Sequence, residues 1–200
     1  MDTAVALVQN YLYLNGYFTV TEFPVVELLE SGDVRTVTDV DVLAVRFPGA
    51  GAVDLRGRTA RMTTIDPALD VDQERIDLII GEVKEGRVDL NQAASDRHVL
   101  RAALRRFGRV ADEDAEDLIS QLMEDGEAFH PAGVRVRLMS FGSRPPKDEK
   151  APYRWLLIGE IITFIRRVLA ENWNVAQAIQ SKDPILSQMI LIEKAIRGER

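Results

Sequence analysis

The chain has 200 residues, of which 46% are hydrophobic and 28% are charged. This length suits one well-packed domain, and the apolar content is too high for an intrinsically disordered chain. Because cysteine is absent, disulfides, thiolate metal sites and thiol nucleophiles are excluded, and we expect a cytoplasmic protein. The 32 acidic and 25 basic side chains give a net charge of −7, so a polyanionic partner would need a local basic patch or a metal ion.

The first part of the sequence predicts a helix followed by three strands. Apolar residues between positions 3 and 15 recur at the spacing of an amphipathic helix, which we expect to end at Gly16. Runs of β-branched and aromatic residues predict strands at residues 17–29, 36–46 and 76–85. Residues 49–74 are rich in glycine and charge without a sustained period, which indicates an insertion or functional loop.

The second part predicts helices at 91–107 and 112–124, a strand at 134–141 and a polar linker at 142–152. We therefore expect an α/β core over residues 1–141 and a helical C-terminal extension over residues 153–200. The apolar surface of this extension favours either packing on the core or a homodimer interface.

Membrane insertion and export are not expected from the sequence. The most apolar stretch, residues 155–169, is interrupted by Glu160, Arg166 and Arg167 and is shorter than the roughly 20 residues of a spanning helix. The first residues lack the basic and apolar regions of a secretory signal.

Acidic side chains lie at one end of two predicted strands. Because side chains alternate along a strand, Glu82 and Lys84 continue the apolar face of Ile76, Leu78 and Ile80. Asp39 and Asp41 likewise share a face with Leu43 and Val45. If the two strands pair, three carboxylates and a lysine converge, which is costly unless the charges compensate one another or bind a cation. Hard cations such as Mg²⁺ prefer carboxylate oxygen, and a carboxylate-bound metal can drive phosphodiester hydrolysis.

The order helix, strand, acid-bearing strand, Glu-x-Lys strand, helix and strand resembles the PD-(D/E)XK nuclease superfamily over residues 1–141. The resemblance implies a restriction-endonuclease-like fold, with a mixed central sheet of about four strands between helices. It matches Asp41 to the first acid and Glu82-Val83-Lys84 to the Glu-x-Lys signature. It implies that Asp41, Glu82 and the Val83 carbonyl bind Mg²⁺ or Mn²⁺, that Lys84 orients or activates water, and that the substrate is DNA.

The sequence departs from this family in the first helix. Many members carry a glutamate there, whereas Asp2 is the only acid before Glu22. An additional ligand would therefore have to come from Glu22 or Asp39. Relatives often carry a polar residue in the helix after the signature, for which Asn91 and Gln92 are the nearest matches.

Arginines form a stripe on the predicted helix after the third strand, where Arg97, Arg101 and Arg105 recur at every fourth position. One interpretation is a phosphate-binding ridge beside the metal site, extended by Arg135 and Arg137 of the fourth strand. The other is a solvated face that pairs with the acidic segment following this helix.

Other catalytic motifs find little support. His98 and His130 have no neighbours at metal-ligand spacing, and serine-nucleophile and phosphate-loop motifs do not occur. Three hypotheses remain open. The chain is a metal-dependent DNA nuclease, or an inactive module of the same fold that binds a protein or nucleic acid, or a different α/β fold in which the Glu-x-Lys pattern is coincidental.

Overall fold

The computed structural model describes residues 2–54, 59–61, 65–91, 95–108, 112–148, 151–178 and 181–198. The helices are α1 (Thr3–Leu14), α2 (Arg97–Phe107), α3 (Asp112–Asp125), α4 (Ile158–Glu171), α5 (Trp173–Ala176) and α6 (Pro184–Arg197), with a short 3₁₀ turn at Pro67–Leu69. The strands are β1 (Phe18–Leu28), β2 (Val34–Arg46), β3 (Ala52–Asp54), β4 (Thr59–Arg61), β5 (Ile76–Arg87), β6 (Glu127–His130), β7 (Val134–Arg144) and β8 (Arg154–Leu157). Within the described ranges, no helix is long and apolar enough to cross a membrane.

Six strands form a mixed sheet in the order β1-β2-β5-β7-β6, and β8 also pairs with β7. β2 is antiparallel to both of its neighbours, β1 and β5, whereas β5 and β7 run parallel. β6 and β8 pair with successive parts of β7, and β3 and β4 form a separate hairpin within the predicted insertion. The predicted α/β class with a mixed sheet is confirmed. β6 and β8 escaped prediction because four residues are too few to establish an alternating pattern.

Helices cover both faces of this sheet. One hydrophobic cluster joins the sheet to α1, α4, α5 and α6, and a second joins its other face to α2 and α3. Asp2 begins α1 by accepting a hydrogen bond from the Ala4 amide at 2.7 Å, and Gly16 follows the helix with φ of 86°. The result is a three-layer arrangement in which the sheet is the rigid centre.

The C-terminal helices pack back on the core. In α4, Phe164 is buried and contacts the ring of Tyr11 edge to face, with the ring centroids 5.3 Å apart. Ile161, Ile165 and Val168 lie in the same cluster. These helices therefore share a hydrophobic cluster with the sheet and α1, and the homodimer interface stays a prediction.

Two predicted boundaries are wrong. The helix expected from residue 91 begins only at Arg97, where the Asp96 side chain accepts hydrogen bonds from the amides of His98 and Val99. Asn91 therefore lies in the loop before α2. The predicted linker at 142–152 begins inside β7, which continues to Arg144.

The expectation that Arg137 extends a basic ridge is also wrong, because this side chain is completely buried. Its Nε and Nη2 atoms donate to the two oxygens of Asp77 at 3.0 and 2.7 Å, and Nη1 donates to the Leu69 carbonyl at 2.7 Å. The Tyr17 hydroxyl donates to Asp77 at 2.7 Å. Arg135 is likewise held, in this case by Glu127. Both arginines stabilise the core instead of facing a ligand.

Candidate metal centre

The candidate site lies where β2 separates from β5. Backbone pairing between these strands extends from Arg46 to Val42, which is paired with Gly81, and goes no further. At the next position, Oδ2 of Asp41 accepts a hydrogen bond from the Val83 amide at 2.7 Å. The carboxylate thus takes the place of a backbone acceptor and fixes Asp41 against the edge of β5.

A local irregularity in the β1–β2 ribbon accompanies this contact. Val42 packs in the cluster beneath α1, whereas Val40 and Leu43 pack in the cluster beneath α2. In a regular strand Val40 and Val42 would face the same side of the sheet. The regular alternation of side chains between the two faces is therefore broken at Asp41. Opposite Asp41, Glu22 has φ of 53°, a conformation that costs a non-glycine residue roughly 1–3 kcal/mol. The predicted regular face shared by Asp41 and Leu43 is therefore interrupted at the position of the candidate ligand.

Glu82 occupies the neighbouring position on β5 and is 4% exposed. Its Oε1 atom accepts hydrogen bonds from Lys84 Nζ and, at 2.8 Å, from Asn91 Nδ2. Lys84 remains 35% exposed, so its ammonium reaches both Glu82 and solvent. The predicted common placement of Glu82 and Lys84 holds, and Asn91 reaches this site from a loop instead of the predicted helix.

The electrostatics of the two acids are alike. Burial raises the pKa of Glu82, and the negative charge of Asp41 raises it further, whereas the hydrogen bonds from Lys84 and Asn91 oppose the shift. Burial also raises the pKa of Asp41, against the hydrogen bond from the Val83 amide and the charge of Lys84. The buried carboxylate of Glu82 and the half-buried carboxylate of Asp41 therefore share the ammonium of Lys84, and this excess of negative charge favours a cation.

The oxygen atoms present fit a hard divalent cation. The hydrogen bonds described above use Oδ2 of Asp41 and Oε1 of Glu82, and Oδ1 and Oε2 accept none from the described residues. The amide N–H and the carbonyl of a strand residue point to the same edge of the strand. Because the Val83 amide donates to Asp41, the Val83 carbonyl also points to this edge, just beyond the last β2–β5 pair. Among the described residues, no group of three or more His, Cys, Asp or Glu side chains is arranged to hold a metal ion. A third protein ligand would therefore be this carbonyl, with water completing the coordination.

The two proposed additional ligands lie near the same point. Asp39 is exposed and lines, with Glu82 and Leu138, a notch of about 10 Å³, which is close to the space of one water. Glu22 accepts a hydrogen bond from the Asp2 amide at 3.3 Å. The negative charges of Asp2 and Glu22 raise the pKa of Asp41. Which of Asp39 and Glu22 contributes a ligand stays a prediction.

Sequence reasoning overlooked the place of Asp2. It found no acid in the family's first-helix position, yet the carboxylate that caps α1 is close enough to influence Asp41. An Asp directly before an amphipathic run is an N-cap signal, which indicates where this acid would lie.

The arginine stripe is engaged by the neighbouring helix. Nη2 of Arg97 lies 3.0 Å from Glu116 of α3, and Arg101 pairs with the same carboxylate. The interpretation that the stripe pairs with the following acidic segment is confirmed for these two residues. Arg105 is exposed on the same helix, Gln92 lies outside the described residues, and contact of the stripe with nucleic acid stays a prediction.

The chain matches no protein-family model, no curated protein and no solved structure. The geometry of Asp41, Glu82 and Lys84 is therefore the main guide to function.

Proposed function

We propose that the chain is a metal-dependent nuclease of restriction-endonuclease-like fold, which hydrolyses phosphodiester bonds in DNA through a PD-(D/E)XK-like site. One observation carries this proposal. Asp41, Glu82 and Lys84 come together at the point where β2 leaves β5, and the two carboxylates are incompletely neutralised.

Asp41 and Glu82 would hold Mg²⁺ or Mn²⁺ together with the Val83 carbonyl. Such an ion activates a bound water and neutralises charge on the phosphoryl oxygens. Asp41 is oriented by the Val83 amide and Glu82 by Asn91, so neither side chain has to search for its position.

Lys84 would orient the attacking water or stabilise the phosphoryl charge. Its ammonium is paired with Glu82 and partly exposed, so it lies between a candidate ligand and solvent. Once Glu82 is engaged by a cation, attraction between this carboxylate and Lys84 weakens, and the ammonium is available to water or phosphate.

A second candidate is an inactive module of the same fold that binds a protein or nucleic acid. The observation in its favour is the excess of acids over unpaired cations among the described residues near the site. Asp2 and Glu22 add negative charge around Asp41 and Asp39 lies beside Glu82, while Arg97 and Arg101 pair with α3. Only the nuclease requires a divalent cation for its activity.

The experiment that tests the proposal is DNA cleavage. Plasmid, linear, single-stranded and branched DNA are incubated with wild type, Lys84→Ala and Lys182→Ala in Mg²⁺, Mn²⁺ or EDTA. Lys182 is an exposed lysine just before α6 and serves as the matched control.

We expect metal-dependent cleavage by wild type and Lys182→Ala, and a loss of roughly 100-fold or more in Lys84→Ala. Cleavage of none of these substrates by the folded protein, or equal cleavage by Lys84→Ala, would contradict the proposal and favour the interaction module.

A further inference from the structure

A second feature, an apolar groove, lies at the other end of the sheet from Glu82. Its floor is formed by Phe18, Val45 and Leu78, which are side by side in β1, β2 and β5. Leu78 precedes Glu82 by four residues, or about 13 Å along a strand. The groove is therefore separate from the candidate metal centre.

The groove exists because α2 ends before it covers this part of the sheet. Phe107 is the last residue of the helix and forms one wall, and Phe47 forms another. Phe18 and Phe47 meet edge to face, with centroids 6.4 Å apart, and are 66% and 47% exposed. The groove is open to solvent on one side, and its volume of about 410 Å³ lies within the range of small-molecule sites.

Among the residues that the structure describes, one cation lines this groove. Arg106 lines it, and the guanidinium lies 5.8 Å from the centre of the Phe23 ring. Arg97 and Arg101 of the same helix pair with Glu116. By contrast, Arg106 forms no ion pair with any residue that the structure describes. Its positive charge can therefore pair with an anionic ligand.

We propose that this groove binds a small amphiphilic anion, in which an apolar chain is joined to a carboxylate. The chain would lie on the floor, where burial of Phe18 and Phe47 favours binding, and the carboxylate would pair with Arg106. Among the described lining residues, Thr19 is the one besides Arg106 with a polar side chain, and its Oγ1 accepts a hydrogen bond from Gln9 of α1. A nucleobase would therefore leave its polar edge without partners, which disfavours it.

Calorimetric titration with decanoate tests this inference, and decyltrimethylammonium is the matched ligand of opposite charge. Val20, which lines the groove and is 40% exposed, is replaced in Val20→Trp to fill the space. Arg106→Gln removes the cation, and Arg97→Gln is the control on the same helix. Circular dichroism establishes that each variant is folded.

We expect saturable binding of decanoate at one site and none of the cationic ligand. Arg106→Gln should weaken binding roughly tenfold, Val20→Trp should abolish it, and Arg97→Gln should leave it unchanged. Absence of saturable decanoate binding, equal binding of both ligands, or unchanged binding in folded Val20→Trp would each overturn the inference. DNA cleavage plays no part in these readouts, so this proposal and the nuclease proposal succeed or fail separately.

Discussion

Two buried acids of β5, one at each end of the segment that pairs with β2, have different surroundings. Asp77 is completely buried, and its two oxygens accept three hydrogen bonds, two from Arg137 and one from Tyr17. Glu82 is nearly as buried, yet the hydrogen bonds that it accepts from described residues reach Oε1 alone, and its cation is Lys84, which is 35% exposed. The negative charge of Asp41 lies close to Glu82, and Asp77 instead has a fully buried cationic partner.

The difference separates a structural charge from a charge that can receive a ligand. Taking ions out of water is costly, and a closed network such as that of Asp77 and Arg137 compensates this cost within the chain. The arrangement of Asp41 and Glu82 leaves negative charge and free oxygens facing an accessible edge. This contrast predicts that mutations around Asp77 and around Glu82 change the stability of the protein in opposite directions.

The largest effect is expected at the closed network. Arg137→Met leaves Asp77 buried without its cation and should lower the free energy of unfolding by roughly 3–5 kcal/mol. Urea denaturation measures this loss. The control is Arg35→Gln, since Arg35 forms an exposed pair with Glu27 and its loss should cost no more than about 1 kcal/mol. Equal stability of both variants would remove the contrast between the two ends.

A change in stability of the opposite sign is expected at Glu82. Without metal at neutral pH, Glu82→Gln removes a buried like charge beside Asp41 while keeping an acceptor for Asn91, so the melting temperature should rise. We expect a gain of about 1 kcal/mol, or roughly 2–4 °C. We expect Mn²⁺ to stabilise the wild type and this stabilisation to disappear in the variant. A variant less stable than wild type in EDTA would show that Glu82 is already compensated.

The pH dependence follows from the raised pKa values of Asp41 and Glu82. Because the folded state binds their protons more tightly than the unfolded state, these groups favour folding below their unfolded pKa, and this contribution is lost as pH rises through the folded pKa. Bound metal has the reverse dependence, because it requires the ionised carboxylates. The Mn²⁺-induced shift of the melting temperature should therefore be larger at pH 8 than at pH 5. A shift of equal size at both pH values would argue that Mn²⁺ binds elsewhere.

The smallest effect is expected on the arginine stripe. Arg97 pairs with Glu116 at an exposed surface, and such pairs contribute little to stability. We expect the melting temperature of Arg97→Gln to match that of wild type in differential scanning calorimetry. A clear decrease would mean that the packing of α2 on α3 depends on this charge.

The sequence predicted the convergence of β2 and β5 because alternation of apolar residues placed Glu82 and Lys84 at the end of a buried face. It did not predict the contact of Asp41 with the Val83 amide, because the irregular backbone at Glu22 carries no glycine signal. Arg137, between Val136 and Leu138, resembled a surface residue in an alternating strand, since its buried partner Asp77 lies 60 positions away. Long-range charge compensation of this kind is invisible to local patterns.

Calorimetric titration of the metal-free protein with Mn²⁺ tests most directly whether Asp41 and Glu82 form a cation site. Wild type is compared with Asp41→Asn and with Glu85→Gln, an exposed glutamate on the same strand that serves as the matched control. Our account predicts that wild type and Glu85→Gln bind with the same affinity and that Asp41→Asn binds at least tenfold more weakly, a difference of about 1.4 kcal/mol. Equal binding by Asp41→Asn, or no binding by wild type, would contradict it.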